Sequence, residues 1–217
     1  MMTTSSSTTP AADGGPSVSP DNTDPCALLG DWLAFAETHS NQPNWNVMMV
    51  ATVDEQGRPS VRPVLHKYFD PSTGNVTFFT NYTSRKACEI EANPNIGIVM
   101  HWDHLERQVR IEGTATRAPG DVSDAYFASR RRESQLGAWA SDQSKPLESY
   151  ESLVQRVLER GMEFKGGDVP RPPHWGGYVI QPRSLEFWIG NPSRVHQRAR
   201  FERSATSNTW SGTWLNP

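Results

Sequence analysis

Hydrophobic positions change their period twice along this chain. Leu28, Leu29, Trp32, Leu33 and Ala36 recur at helical spacing behind Asp24 and Pro25, a capping residue and a first-turn proline. The spacing predicts a helix from there to about Thr38. From Asn46 the period drops to two. Residues 47–53, 60–69, 75–81, 96–102 and 107–116 read as strands. The segments 54–57 and 70–74 read as turns, and Gly57 stands where positive φ is wanted. Ser84 precedes a short helix over 85–92, which Asn93 and Pro94 end. Helical spacing returns over 121–130, over a short helical or looped stretch at 134–141, and over a longer helix from Pro146 to Glu163. That last helix carries Leu147, Tyr150, Val154, Val157 and Leu158 on one stripe. After a loop at 166–173, strands are expected at 178–180, 185–188 and 195–203. Short strands joined by hairpins predict a mainly β fold, an antiparallel barrel with peripheral helices outside it.

Composition narrows the function. Residues 1–24 are rich in Ser, Thr, Pro and Gly and are expected to form a disordered tail, leaving 25–217 as a single domain. A net charge of −3 over 217 residues provides no global basic field for nucleic acid, so any cationic site must be local. The two cysteines, Cys26 and Cys88, lie far apart; they imply no disulfide framework and point to a reducing, cytoplasmic setting. No apolar run approaches a membrane span, and the N-terminus has no secretory-signal pattern. The chain has no GxGxxG, no GxxxxGK[ST] and no GxSxG. His101 and His104 would face opposite ways on a strand, so no metal site is expected.

Four cationic clusters remain. In residues 184–203, alternation would set Arg194, His196, Arg198 and Arg200 on one face and Val195, Ala199 and Phe201 on the other. Guanidinium forks in a row suit a phosphorylated small molecule, with Phe187 and Trp188 as an aromatic wall. On the strand at 60–69, Arg62 and His66 should share a face and Lys67 the opposite one. Thr80 to Lys86 joins a strand end to a helix start. Arg85 and Lys86 stand in the first turn, where the helix dipole disfavours cations and favours an anion. Tyr126 and Arg130 are four apart on a helix, with Ser134, Gln143 and Ser144 following; Arg130, Arg131 and Arg132 stand in a row. No acid–base pair and no partnered nucleophile accompanies them, the pattern of an enzyme whose cofactor carries the chemistry.

The blocks RPVLHKYF, FFTNYTSRKACEIEANP, HWDHLERQVRIEG, YFASRRRESQLGAWASDQS, PPHWGGY and LEFWIGNPSRVHQR occur in that order. Together they make the chain, from about Asn46 to Trp210, resemble the pyridoxamine 5′-phosphate oxidase family. The resemblance implies a homodimeric split β-barrel with flavin mononucleotide (FMN) at the subunit interface. It implies oxidation of pyridoxine 5′-phosphate or pyridoxamine 5′-phosphate to pyridoxal 5′-phosphate, with O2 reduced to hydrogen peroxide. Carried over by motif, FMN contacts fall at Arg62, Val64, Leu65, Lys67, Phe79, Thr80, Arg85, Lys86, Gln108, Gln143, Ser144, Trp188 and Arg198. Substrate contacts fall at Lys67, Tyr126, Arg130 and Ser134, with Arg194 and His196 as the catalytic pair against the pyridine ring. The chain departs from the family pattern at His66, Ile189, Gln197 and Trp214. Two other readings are a split-barrel flavin oxidase for another aromatic substrate, as in phenazine synthesis, and a protein that binds FMN or pyridoxal 5′-phosphate without turnover.

Overall fold

The computed structural model describes residues 14–21 and 23–217. Five helices are found there: α1 (Pro25–His39), α2 (Arg85–Ala92), α3 (Gly120–Ser129), α4 (Arg132–Ala140) and α5 (Tyr150–Glu163). The strands are β1 (Val47–Val53), β2 (Pro59–Asp70), β3 (Asn75–Asn81), β4 (Asn95–Trp102), β5 (Arg107–Arg117), β6 (Trp175–Ile189), β7 (Gln197–Arg203) and β8 (Trp210–Trp214). They follow the order β3-β2-β1-β4-β5-β6-β7-β8, and β3 also pairs with β6. The first six strands therefore close on themselves as an antiparallel barrel, and β7 and β8 extend one side of it. Among the described residues no helix is long and apolar enough to cross a membrane.

The long strand β6 makes closure possible. It pairs with β5 along most of its length, with β3 through residues 175–180 and with β7 through residues 184–189. The sequence pattern predicts two short strands here, 178–180 and 185–188, and Pro182 lies in the gap between them. A register shift between Glu112 and Gly113 accommodates the proline, so the ladder bends instead of ending. At that bend a Cβ on Gly113 would stand 2.2 Å from the Gln181 carbonyl oxygen, which explains the glycine.

Apolar inward positions of the barrel form the core with Leu29, Trp32 and Leu33 of α1, whose indole meets Phe187 edge-on at 5.1 Å. Val18 is 3% exposed in this core. The stretch that composition assigns to a tail thus packs against the barrel over residues 14–21, while residues 1–13 and 22 lie outside the described residues. Burial of Val18 and a hydrogen bond from Arg107 Nη2 to the Pro16 carbonyl at 3.3 Å help to hold so polar a segment.

Three further expectations shift. Helix α5 begins at Tyr150, not Pro146, because Ser149 and Ser152 form a capping box there. Its apolar stripe faces outward, with Tyr150, Val154, Leu158 and Met162 all exposed. Strand β7 begins at Gln197, so alternation never reaches Arg194 or His196. The Asn191 side chain accepts the Ser193 N–H at 2.9 Å, and Arg194 takes φ +61° in the turn before the strand. Val195 is 66% exposed and does not join Ala199 and Phe201 inside. On β2, a register shift between His66 and Tyr68 accompanies a separation of roles. His66, grouped by alternation with Arg62, is 6% exposed and packs edge-on against Trp45 at 5.3 Å.

Neither ring nitrogen of His66 has a hydrogen-bond partner among the described residues. Burial, and then the Lys67 charge, push its pKa down from 6.5 to about 4. The unfolded chain therefore binds a proton that the native state refuses. Stability from this group is full above pH 6.5 and is lost as pH falls toward 4. Between about pH 7 and pH 5 the loss is on the order of 2 kcal/mol. We expect His66→Leu to flatten the pH dependence of urea unfolding by that amount. Parallel wild-type and variant curves would remove the assignment.

Candidate functional site

A cavity of about 920 Å³ opens between β2, β3, the start of α2 and the α3–α4 pair. Arg62, Val64, Leu65 and Lys67 come from β2, Phe79 and Thr80 from β3, and Arg85 and Lys86 from α2. Tyr126, Arg130 and Ser134 come from the α3–α4 segment, and Gln143 and Ser144 from the loop beyond α4. His66 is not part of the lining. The fold thus brings together three of the four clusters that the sequence offers separately.

One end of the cavity is strongly cationic. Lys86 is 8% exposed, and its Nζ donates to Thr80 Oγ1 at 3.1 Å, Gln143 Oε1 at 3.0 Å and Ser84 Oγ at 3.3 Å. Burial first, and the Arg62 charge second, bring its pKa down to about 8. Beneath it lies Glu89, also buried, which accepts from Thr52 Oγ1, Ser60 Oγ at 2.7 Å, Arg62 Nη2 at 3.3 Å and Arg85 Nε at 2.8 Å. Burial alone would raise the Glu89 pKa, but the hydroxyl donors and Arg85 outweigh it and hold it at about 2. Three cations, Arg62, Arg85 and Lys86, less this one carboxylate leave a charge of +2. Ser84 makes no side-chain cap bond, so α2 presents its first N–H groups to the same corner. A phosphate monoester, with a charge of roughly −1.5 to −2, matches that surplus.

The other end is aromatic. Phe79 and Tyr126 stack at 4.2 Å, Phe79 and Trp175 at 5.4 Å, and Tyr68 meets both Phe79 and Tyr126 edge-on. The Arg130 guanidinium lies 4.8 Å from the Trp175 ring centre. Its Nη1 is buried with no hydrogen-bond partner among the described residues, and burial lowers its pKa. Burial likewise raises the Tyr126 phenol. The arginine row divides. Arg131 sits on the cavity lining, whereas Arg132 turns away and donates to the Phe164 and Gly167 carbonyls at the end of α5.

The fourth cluster lies apart. Gln108, Trp188 and Arg198 are direct neighbours in register across β5, β6 and β7. The His196 ring is 4.7 Å from Trp188. Arg198 reaches Glu186 through Nε at 3.0 Å and Nη2 at 2.8 Å, and Arg200 bonds Ser184 and Glu202. None of Gln108, Trp188, Arg194, His196 or Arg198 lines the cavity of the same chain. Sequence reasoning passed over Glu89 and Trp175. The signal for Glu89 was its place one turn after Arg85. Trp175, at the edge of a proline-rich loop, had none.

The chain is similar to known proteins along most of its length. Residues 36–161 match the family described as pyridoxamine 5′-phosphate oxidase, and residues 175–217 match the pyridoxine 5′-phosphate oxidase C-terminal dimerisation region. A pyridoxine/pyridoxamine 5′-phosphate oxidase of Sphingopyxis alaskensis is 45% identical over 195 residues, 89% of this chain and 88% of that one. One of the same name from Rubrobacter xylanophilus is 47% identical over 194 residues, 89% and 87% of the two chains. Among solved structures, PhzG from Burkholderia lata, in complex with tetrahydrophenazine-1-carboxylic acid, superposes with a TM-score of 0.83 at 31% identity. It covers 91% of this chain and 95% of its own. A barrel closed by β6, a cavity with two cation-bearing ends and matches along nearly the whole length place this chain in the pyridoxamine 5′-phosphate oxidase family.

Proposed function

We propose that the protein is an FMN-dependent oxidase that converts pyridoxine 5′-phosphate or pyridoxamine 5′-phosphate to pyridoxal 5′-phosphate, with O2 reduced to hydrogen peroxide. The observation that carries this reading is the unpartnered, buried Nη1 of Arg130, at the opposite end of one cavity from a second cationic corner. Two phosphate-bearing molecules sharing one space explain both.

The residues fit the two ligands. Arg62, Arg85 and Lys86, with Thr80 and Gln143 beside them, hold the FMN phosphate end, and Val64 and Leu65 offer backbone and apolar surface to the ring system. Bound there, FMN supplies the two-electron acceptor that O2 regenerates. Lys67, Tyr126, Arg130 and Ser134 hold the substrate phosphate and so fix the position of the pyridine ring. His196 Nδ1 accepts the Asn191 N–H at 3.1 Å, which leaves the proton of the neutral ring on Nε2. That edge donates a hydrogen bond to the substrate, and Arg194 beside it fixes the ring orientation.

Gln108, Trp188, Arg194, His196 and Arg198 reach the cavity by coming from a second copy. Much of this cluster falls within the segment that matches a dimerisation region. The outer barrel face also has the character of an interface, since Met49 and Val61 are exposed there beside Ala51, Gly97 and Val99. A two-fold dimer places each copy's fourth cluster over the other copy's cavity.

PhzG supports a second reading, oxidation of a carboxylated polycyclic substrate. A carboxylate presents one negative charge where a phosphate presents nearly two, so the Lys67–Arg130 pair favours the phosphate.

Two outcomes are expected. In a peroxide-coupled assay both phosphorylated vitamers turn over and unphosphorylated pyridoxine does not; Arg130→Leu raises KM by about 10- to 100-fold, the loss of a charge-assisted contact. Equal rates with and without the phosphate would defeat the substrate assignment. Second, Arg130→Leu and Arg194→Ala chains, each inactive at low substrate, are unfolded and refolded together. One site in each mixed dimer is then intact, so about a quarter of wild-type activity returns. No recovery would mean that each site draws on one chain only.

A further inference from the structure

Several other arginines of the barrel and its helices have a carboxylate partner. Arg62 and Arg85 share Glu89, Arg171 pairs with Asp124 at 2.6 Å and Arg117 with Glu91 at 2.8 Å. Arg130 differs. No carboxylate lies within ion-pair distance of it among the described residues, and its charge rests on ring faces, Trp175 at 4.8 Å and Phe127 at 5.7 Å. The difference has a chemical consequence. A carboxylate would occupy the guanidinium fork and repel an incoming dianion. An aromatic face stabilises the cation through its quadrupole and consumes none of its N–H donors.

Trp175 is built to stay in place. It is 6% exposed, stacked on Phe79 at 11° and met edge-on by Phe127 at 5.1 Å. Its backbone N–H donates to the Pro172 carbonyl at 3.1 Å, and its own carbonyl accepts from Arg171 Nη1 at 2.7 Å. Arg171 also holds Asp124 of α3, the helix that carries Tyr126 and ends at Arg130. Strand β6 and helix α3 are thereby tied together at the point where the indole and the guanidinium meet.

We propose that Trp175 is a positioning residue for anion recognition: its indole face holds the Arg130 guanidinium in place of a counter-carboxylate, so that the N–H donors of Arg130 stay free for the phosphate of the substrate. This rests on the functional reading above and adds to it the means by which the phosphate site avoids competing with an internal anion. It also assigns a role to the stack of Phe79, Tyr126 and Trp175, which holds the indole that faces the guanidinium.

A double-mutant cycle on the FMN-loaded protein tests it, with inorganic phosphate and pyridoxal 5′-phosphate as titrants and thermal melting as a control for folding. Trp175→Leu weakens binding of both by about tenfold, the size of a desolvated cation–π contact, and Trp175→Phe restores most of it. In an Arg130→Leu background, Trp175→Leu adds no further loss. In steady-state assays the loss falls in KM more than in kcat. Additive losses, no loss in Trp175→Leu, or a wild-type protein that binds neither titrant would overturn the inference. Vitamer oxidation is measured on the same preparations. Tryptophan-dependent phosphate binding without turnover would sink the functional reading alone and leave the pairing of Trp175 with Arg130 standing.

Discussion

A cation taken out of water is destabilised unless a neighbouring anion, dipole or ring face compensates. This barrel places Arg62, Lys86 and Arg130 in that position around one cavity and, among the described residues, pairs only the first of them with a carboxylate, Glu89. The depressed pKa values of all three follow from it, each led by burial. Such an arrangement is costly for the free protein. It makes sense when a dianionic ligand completes the charge balance, because the stabilisation withheld from the empty cavity becomes binding free energy.

The two ends solve the problem differently. At the α2 corner, Glu89 organises Arg62 and Arg85 while hydroxyls and an amide oxygen hold Lys86, so the donors stand in fixed geometry with a surplus of positive charge. At the aromatic end, ring faces take the place of the carboxylate. A permanently held cofactor suits the first, where rigidity matters most. A substrate that must enter and leave suits the second, where no internal anion has to be displaced.

The barrel explains why these groups meet. Strands β2 and β3 bring Lys67 and Phe79 to one wall, and the run of β6 along β3 sets Trp175 opposite Asn81 at the rim. The same strand carries Trp188 at its far end, thirteen residues on, beside Gln108 and Arg198. One element therefore serves two separated surfaces, the cavity rim and the face that carries Trp188, Gln108 and Arg198.

Much of this was legible in the chain itself. Period-two alternation marked β1 to β5, a glycine wanted at positive φ marked the turn after β1, and first-turn cations on α2 marked an anion corner. These are local properties, set by side-chain direction and backbone sterics, and they need no knowledge of distant residues. Alternation misled at Arg194 and His196, because an Asn191 turn holds them outside β7, and the pattern divided β6 between residues 180 and 185, where an extra residue in β6 itself, Arg183, lets the strand run on through a bulge. Only the tertiary structure decided that Lys67 lines the cavity and His66 does not, that Glu89 sits under two arginines, and that Trp175 faces Arg130. Each of those depends on contacts between residues far apart in sequence, or on a register that a bulge resets, and chain closure is what brings them within reach.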